Sequence, residues 1–250
     1  MINTTHEQLV SNLEYLKMKE MNLHLDETIN FINSNNLSFT DGLIRLTNYE
    51  IDHREASMLK AMVKVGAFPH LKELDDFDFS FQESINEQQI RDFESHRFIT
   101  QCENIVFLGS SGVGKTHLAT AIGISAAKRR ISTYFIKCND LIMQLKKAKM
   151  ENRLEDRLRH FTKYKLLIID EIGYLPIDSE DSKLFFQLID RRYEKRSTIF
   201  TTNFNFSSWD KIFKDPVIAN AILDRVLHHS HVVNITGKSY RLKDFYQDEN

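Results

Sequence analysis

Cysteine is almost absent from this 250-residue chain. The two that occur, Cys102 and Cys138, form no CxxC pair, and no Cys/His group has metal-ligand spacing. A disulfide framework is thereby excluded, and a reducing compartment is the natural setting. Long apolar runs are missing too. None approaches the roughly 18 residues that a bilayer span requires. The opening MINTTHEQLV lacks the basic start and apolar stretch of a secretory leader. A cytoplasmic protein with no membrane partner is therefore expected. Internal repeats and low-complexity tracts are absent, which removes solenoids and biased disordered segments from consideration. Net charge is also small, −2 at pH 7, and by itself points to no partner.

What is present is an ordinary globular balance, 42% apolar and 27% charged residues. A chain of this size needs no staples to hold a core. The charge is unevenly spread. Residues 121–165 hold twelve Lys/Arg and four acids, a net +8, whereas the first sixty residues hold five basic and nine acidic residues. A concentrated basic segment suits a polyanion, although a solvated helix face explains it as well. Within it, Lys146, Lys147 and Lys149 are the candidate DNA-phosphate contacts.

Residues 5–65 read as helical. Leu9, Leu13 and Leu16 share a helix face, and a second periodic stretch runs from about Asp41 to Val65. Ser38 with Asp41 resembles a capping box, and 33–36 (NSNN) reads as a turn. The expected layout is a small helical N-terminal domain at 1–68, a linker at 69–84 and an α/β domain at 85–250. In the last part, apolar or β-branched runs at 104–108, 133–137, 166–170, 198–202 and 232–235 alternate with helical segments. That alternation indicates a parallel sheet with helices on both faces.

The first of these runs, NIVFL, leads into Gly109, Ser110, Ser111, Gly112, Val113, Gly114, Lys115 and Thr116, and then into a good helix. Strand, glycine loop and helix in that order form a phosphate-binding loop. The glycines let backbone N–H groups approach phosphate, and the helix N-terminus adds its positive end. Lys115 supplies a charge for the β- and γ-phosphates, and the Thr116 hydroxyl can ligate Mg²⁺. His117 follows directly, either among the nucleotide-contacting residues or as a histidine on the helix surface. A second buried run, LLII, ends in Asp170 and Glu171. Asp170 can help hold Mg²⁺, and Glu171 can take a proton from an attacking water, unless it merely caps the next turn. The run TIFTT ends at Asn203, placed either to orient that water or simply to form a turn. Arg225 and Arg241 can meet transition-state charge on phosphate, or serve as surface ion-pair partners. His228, His229 and His231 lie close together in sequence, but no acid or cysteine stands at ligand spacing, so no metal site is expected there.

FLGSSGVGKTHLATAIG, LLIIDEIGYLP, STIFTTNFNFSSW and LDRVLHHSHVVNITGKSYRLK, with LKELDDFDFSFQ upstream, together resemble the IstB-like ATPases over about residues 40–245. These are helper proteins of bacterial insertion sequences, related to the DnaC helicase loaders within the AAA+ group. The family often has proline where Ser110, Ser111 and Ser84 stand here. The resemblance implies a five-stranded parallel sheet in the order 5-1-4-3-2 and an ATP·Mg²⁺ site at Gly109 to Thr116, Asp170 and Glu171. It further implies a sensor at Asn203, an arginine finger at Arg225 and a second sensor at Arg241. The implied function is an ATPase that assembles as a homo-oligomer on duplex DNA and regulates a transposase. A replicative-helicase loader is the alternative. A small-molecule kinase with the same loop is opposed by Glu171 and Asn203, because a kinase must exclude water.

Overall fold

The computed structural model describes residues 4–243, so the outermost ends of the expected domains lie outside the described residues. The chain divides into two compact units, Met1–Ala61 and Met62–Asn250. The first contains α1 (Thr4–Tyr15), α2 (Lys19–Leu23), α3 (Leu25–Asn35) and most of α4 (Phe39–Val65). Its small core is Leu13, Met21, Leu25 and Leu46. The expected turn at 33–36 is narrower than the sequence suggests. Ser34 and Asn35 stay helical, their side chains donating back to the carbonyls of Asn30 and Phe31. Only Asn36 takes the left-handed conformation that ends the helix. Ser38 and Asp41 form the reciprocal capping box, with Asp41 N donating to Ser38 Oγ at 3.2 Å and Ser38 N to Asp41 Oδ2 at 3.0 Å.

The second unit holds α5 (Glu87–Asp92), α6 (Arg97–Thr100), β1 (Asn104–Gly109), α7 (Lys115–Lys128) and β2 (Thr133–Lys137). There follow α8 (Cys138–Met150), α9 (Leu154–Thr162), β3 (Leu166–Ile172), α10 (Ser179–Arg192) and β4 (Ser197–Thr202). The chain then forms α11 (Trp209–Phe213), α12 (Pro216–Leu227) and β5 (Ser230–Ile235). The strands are all parallel, in the order β2-β3-β4-β1-β5. Read from the other edge, this is 5-1-4-3-2. β5 begins two residues earlier than the apolar run implied, because Ser230 and His231 pair with β1 as edge-strand residues.

Strand alternation builds two cores. Ile105, Phe107, Leu166, Ile168 and Ile199 face α7 and the short helices before β1. Val106, Leu167, Ile169 and Phe200 face α8 to α12, with Phe161, Phe185, Trp209 and Phe213 fully buried there. Each such side chain contributes roughly 1.5–3 kcal/mol on burial. Residues 66–84 also belong to this unit. Leu74 is buried in the α7-side core, and Phe68, Phe77 and Phe79 pack against it. Asp178 and Asp215 cap α10 and α12, the latter with Pro216 in the first turn. At the far end of α10, Arg192 is buried with no acidic partner among the described residues. It donates to the carbonyls of Phe161, Tyr164 and Ser197 and to Thr198 Oγ1.

Candidate nucleotide site

The loop after β1 sits at the carboxyl edge of the sheet, where open α/β sheets bind ligands. Its glycines are required by close packing. A Cβ on Gly109 would stand 2.3 Å from the Ile235 carbonyl oxygen. Gly114, at φ 101°, would place one 2.4 Å from the Phe77 ring. The loop delivers the chain into α7, whose first N–H groups have no partner within the helix. Lys115 is 8% exposed and folds over its own loop, Nζ donating to the carbonyls of Gly109 at 2.9 Å and Ser110 at 2.7 Å. Two of its three donors are thus used internally. Burial pulls its pKa down to about 8, with Asp170 opposing and Arg241 adding to the shift. A phosphate group is the kind of counter-charge that could offset this buried ammonium.

Asp170 ends the unbroken buried run of β3 and is 1% exposed. Thr116 Oγ1 donates to its Oδ1 at 2.9 Å, and Thr201 Oγ1 donates to the same oxygen at 2.6 Å. Burial raises its pKa, against the lowering effect of the two hydroxyls. The paired Thr116 and Asp170 oxygens are a hard-donor set of the kind magnesium takes, so these residues fit the ion. The next residue, Glu171, is exposed and has φ 61°. Its N–H donates to Thr201 Oγ1 at 2.9 Å, and its Oε2 meets Lys137 Nζ at 3.0 Å. Thr201 therefore holds Asp170 and Glu171 together.

A cleft of about 700 Å³ joins these groups. It is bordered by the loop, Asp170, Glu171, Asn203, Arg241 and His117, and by Phe77 and Asp78 from the 66–84 segment. His117 is not simply a surface histidine. Its Nε2 lies 3.0 Å from the Glu73 carbonyl, and its ring meets Phe77 edge-on. Arg241 comes to the cleft through the segment after β5, where Tyr240 N donates to Gly112 O at 2.9 Å. Lys243 pairs with Asp78 at 2.7 Å and holds that carboxyl down at about 2.

Arg225 and the three lysines stand elsewhere. Arg225 is on the last turn of α12, just before β5, and so lies toward the amino-terminal edge of the sheet, away from this cleft. Its Nε donates to Asp190 at 2.8 Å, and its guanidinium lies 4.7 Å above the Phe186 ring. On α8, Lys146 pairs with Asp181 at 3.0 Å and Lys149 with Glu180 at 3.2 Å. Lys147 is exposed. Sequence reading missed Thr201 and Lys137. The signal for both lay in the expected strand order, since β2 and β4 flank β3 and the residues at their carboxyl ends must therefore stand beside the acids.

The strand order, the glycine loop after β1 and the acidic end of β3 define a P-loop nucleotide-binding protein of the AAA+ type. The solved structure described as the DnaC helicase loader shares this fold, with a TM-score of 0.53 at 24% identity over 70% of this chain and 99% of that one. The chain belongs to the IstB-like ATP-binding protein family, whose model matches residues 11–247. It is 68% identical to the ATP-binding protein of insertion sequence IS232 from Bacillus thuringiensis subsp. berliner, across the full length of both chains. It is 44% identical to that of IS5376 from Geobacillus stearothermophilus, over 86% of this chain and 85% of that one. No helix among the described residues is long and apolar enough to cross a membrane.

Proposed function

We propose that this chain hydrolyses ATP, assembles with copies of itself on duplex DNA and so regulates the transposase of an insertion sequence. The observation that carries the hydrolase reading is Glu171. It is an exposed carboxylate on the rim of the cleft, one residue beyond the buried Asp170 and tied to it through Thr201. In this reading Lys115 and the loop amides bind the phosphates, and Asn203 and Glu171 orient and deprotonate water. Thr116 and Asp170 would hold Mg²⁺, which when bound neutralises charge on the β- and γ-phosphates. Arg241 reaches the site within its own chain, and Arg225 serves a neighbour's.

The names of the relatives, ATP-binding proteins of insertion sequences, support the transposition setting. We assign the N-terminal helical unit, to Ala61, to DNA or partner binding, the 69–84 segment to a linker lying on the ATPase domain, and 85–250 to ATP hydrolysis. The cytoplasm, where bacterial DNA lies, is the proposed location. Glu171→Gln tests the chemistry. The variant should bind ATP normally and hydrolyse it at least ~10²-fold more slowly, because only the base is lost. Unchanged turnover would remove Glu171 from the mechanism. Tighter binding to single strands than to duplex would favour a helicase-loading role over the transposition role.

A further inference from the structure

The histidines before β5 have an acidic neighbour that the sequence does not reveal. Glu194 lies in the turn between α10 and β4, and His228 and His229 lie between α12 and β5. Glu194 Oε1 stands 3.8 Å from His228 Nδ1 and 3.6 Å from His229 Nε2. One ligand atom from each of the three residues lies within 4.8 Å of the others. Donors bound at about 2.1 Å around a tetrahedral ion sit roughly 3.4 Å apart. Only small side-chain movements separate this arrangement from a ligand set. His231, the third histidine of the run, is engaged elsewhere, its Nε2 2.8 Å from Glu103.

We propose that Glu194, His228 and His229 bind one divalent transition-metal ion, with zinc the best match. Two imidazoles and a carboxylate form a borderline N₂O set. Such a set prefers Zn²⁺, Co²⁺, Ni²⁺ or Cu²⁺ to the oxygen-seeking Mg²⁺ and Ca²⁺. All three side chains are exposed, so an ion can enter and water can fill the fourth position.

The backbone on both sides is fixed. Glu194 has φ 55°, in a turn where the N–H groups of Lys195 and Arg196 bond the Arg192 carbonyl. His228 N bonds Asp224 O at 3.1 Å, and the His229 carbonyl accepts from Asn104 N at 2.7 Å. The Tyr193 hydroxyl lies 2.5 Å from the same His228 Nδ1, and this hydrogen bond gives way when that nitrogen takes the ion. The metal site lies at the amino-terminal edge of the sheet, since its residues directly precede β4 and β5. The nucleotide cleft lies at the opposite edge, and the two share no residue. A bound ion ties the end of α12 to the end of α10, alongside the existing Arg225–Asp190 bond.

The test uses the full chain, stripped with a chelator and titrated with Zn²⁺ alone in competition with a chromophoric chelator. Thermal unfolding is followed in parallel. Wild type should bind one equivalent that millimolar Mg²⁺ does not displace, and its melting temperature should rise. Glu194→Gln, His228→Gln and His229→Gln should each weaken that equivalent at least ten-fold. The triple variant should lose both the equivalent and the melting shift. Normal ATP binding in these variants shows that they are folded. His53→Gln, an exposed histidine elsewhere, should change nothing. Zinc binding only in the millimolar range, or binding and stabilisation equal in wild type and the triple variant, would overturn the proposal.

Discussion

A carboxylate held by an ammonium must leave that partner before it can reach a water molecule. Glu171 is in that position, with Lys137 Nζ 3.0 Å away, and the lysine's own pKa is raised by the same bond. Both groups are about half exposed, so solvent screens the pair and its effect is modest. Lys137→Met should raise ATP turnover in the absence of DNA by about 2- to 10-fold, since the carboxylate is then free to turn toward water in a base-assisted step. Steady-state phosphate release checks this, and an unchanged or lower rate would mean that the lysine does not restrain Glu171. A second residue, His96, governs stability rather than chemistry. It is buried, and neither ring nitrogen has a hydrogen-bond partner among the described residues. Burial pulls its pKa down to about 4, with Arg129 adding to the shift. The folded pKa lies below the ordinary 6.5, so the unfolded chain binds the proton better. Stability is therefore full above pH 6.5 and is lost as pH falls from 6.5 toward 4. The loss between pH 7 and pH 5 should be about 2 kcal/mol for this group. Denaturant unfolding at the two pH values measures it. His96→Asn tolerates the left-handed backbone at this position and should shrink the difference. An undiminished pH dependence in that variant would assign the acid sensitivity to other groups.

Elements decide which residues meet, and this is where sequence reading succeeds or stops. The phosphate loop and the Asp170–Glu171 pair are contiguous in sequence, each flanked by an apolar strand, and were legible for that reason. Thr201 and Lys137 come from β4 and β2, and they reach the acids only because those strands flank β3. Glu194 escaped notice because a turn after α10 and the end of α12 converge without any sequence proximity to the histidines. The basic segment shows a similar limit. Sequence counts its charges, but α8 lies beside the start of α10, where Lys146 and Lys149 pair with Asp178, Asp181 and Glu180. Those two lysines therefore have work within the fold, whereas Lys147 faces solvent. Under the DNA-binding proposal, Lys147→Glu should lower duplex affinity and flatten its salt dependence by about 0.9 in log–log slope, one phosphate's worth. Reversing all three lysines should flatten the slope further and also lower the melting temperature, because Asp181 is nearly buried and loses its partner. Binding isotherms across a salt series, read beside thermal unfolding, separate the two effects. Unchanged slopes in both variants would reduce this face of α8 to a solvated, ion-paired surface.

At the scale of the whole molecule, the distribution of arginines bears on whether one chain can act alone. Arg241 borders its own cleft. Arg225 is held near the other edge of the sheet by Asp190, the Ala221 carbonyl and the Phe186 ring. If Arg225 serves catalysis at all, the γ-phosphate it meets belongs to another molecule. An arginine delivered to phosphate in this way is worth ~10³–10⁵ in rate. Two consequences distinguish this arrangement from a self-sufficient enzyme. Wild-type turnover per chain should rise with protein concentration and with added duplex DNA, as neighbours come into reach. Arg225→Ala should bind ATP normally and hydrolyse it poorly at every concentration. Lys115→Ala should fail to bind ATP while keeping its own Arg225. When the two variants are mixed under conditions in which they co-assemble, the lysine variant lends its arginine to the intact cleft of the other, and activity should exceed the sum of the separate proteins. The Asp190 bond must open for that transfer, so Asp190→Asn should leave the rescue in place or strengthen it. Absence of rescue despite demonstrated co-assembly would confine Arg225 to its contact with α10. A turnover rate independent of concentration and DNA, in protein shown to remain monomeric, would make ATP hydrolysis a property of the single chain and remove assembly as its switch.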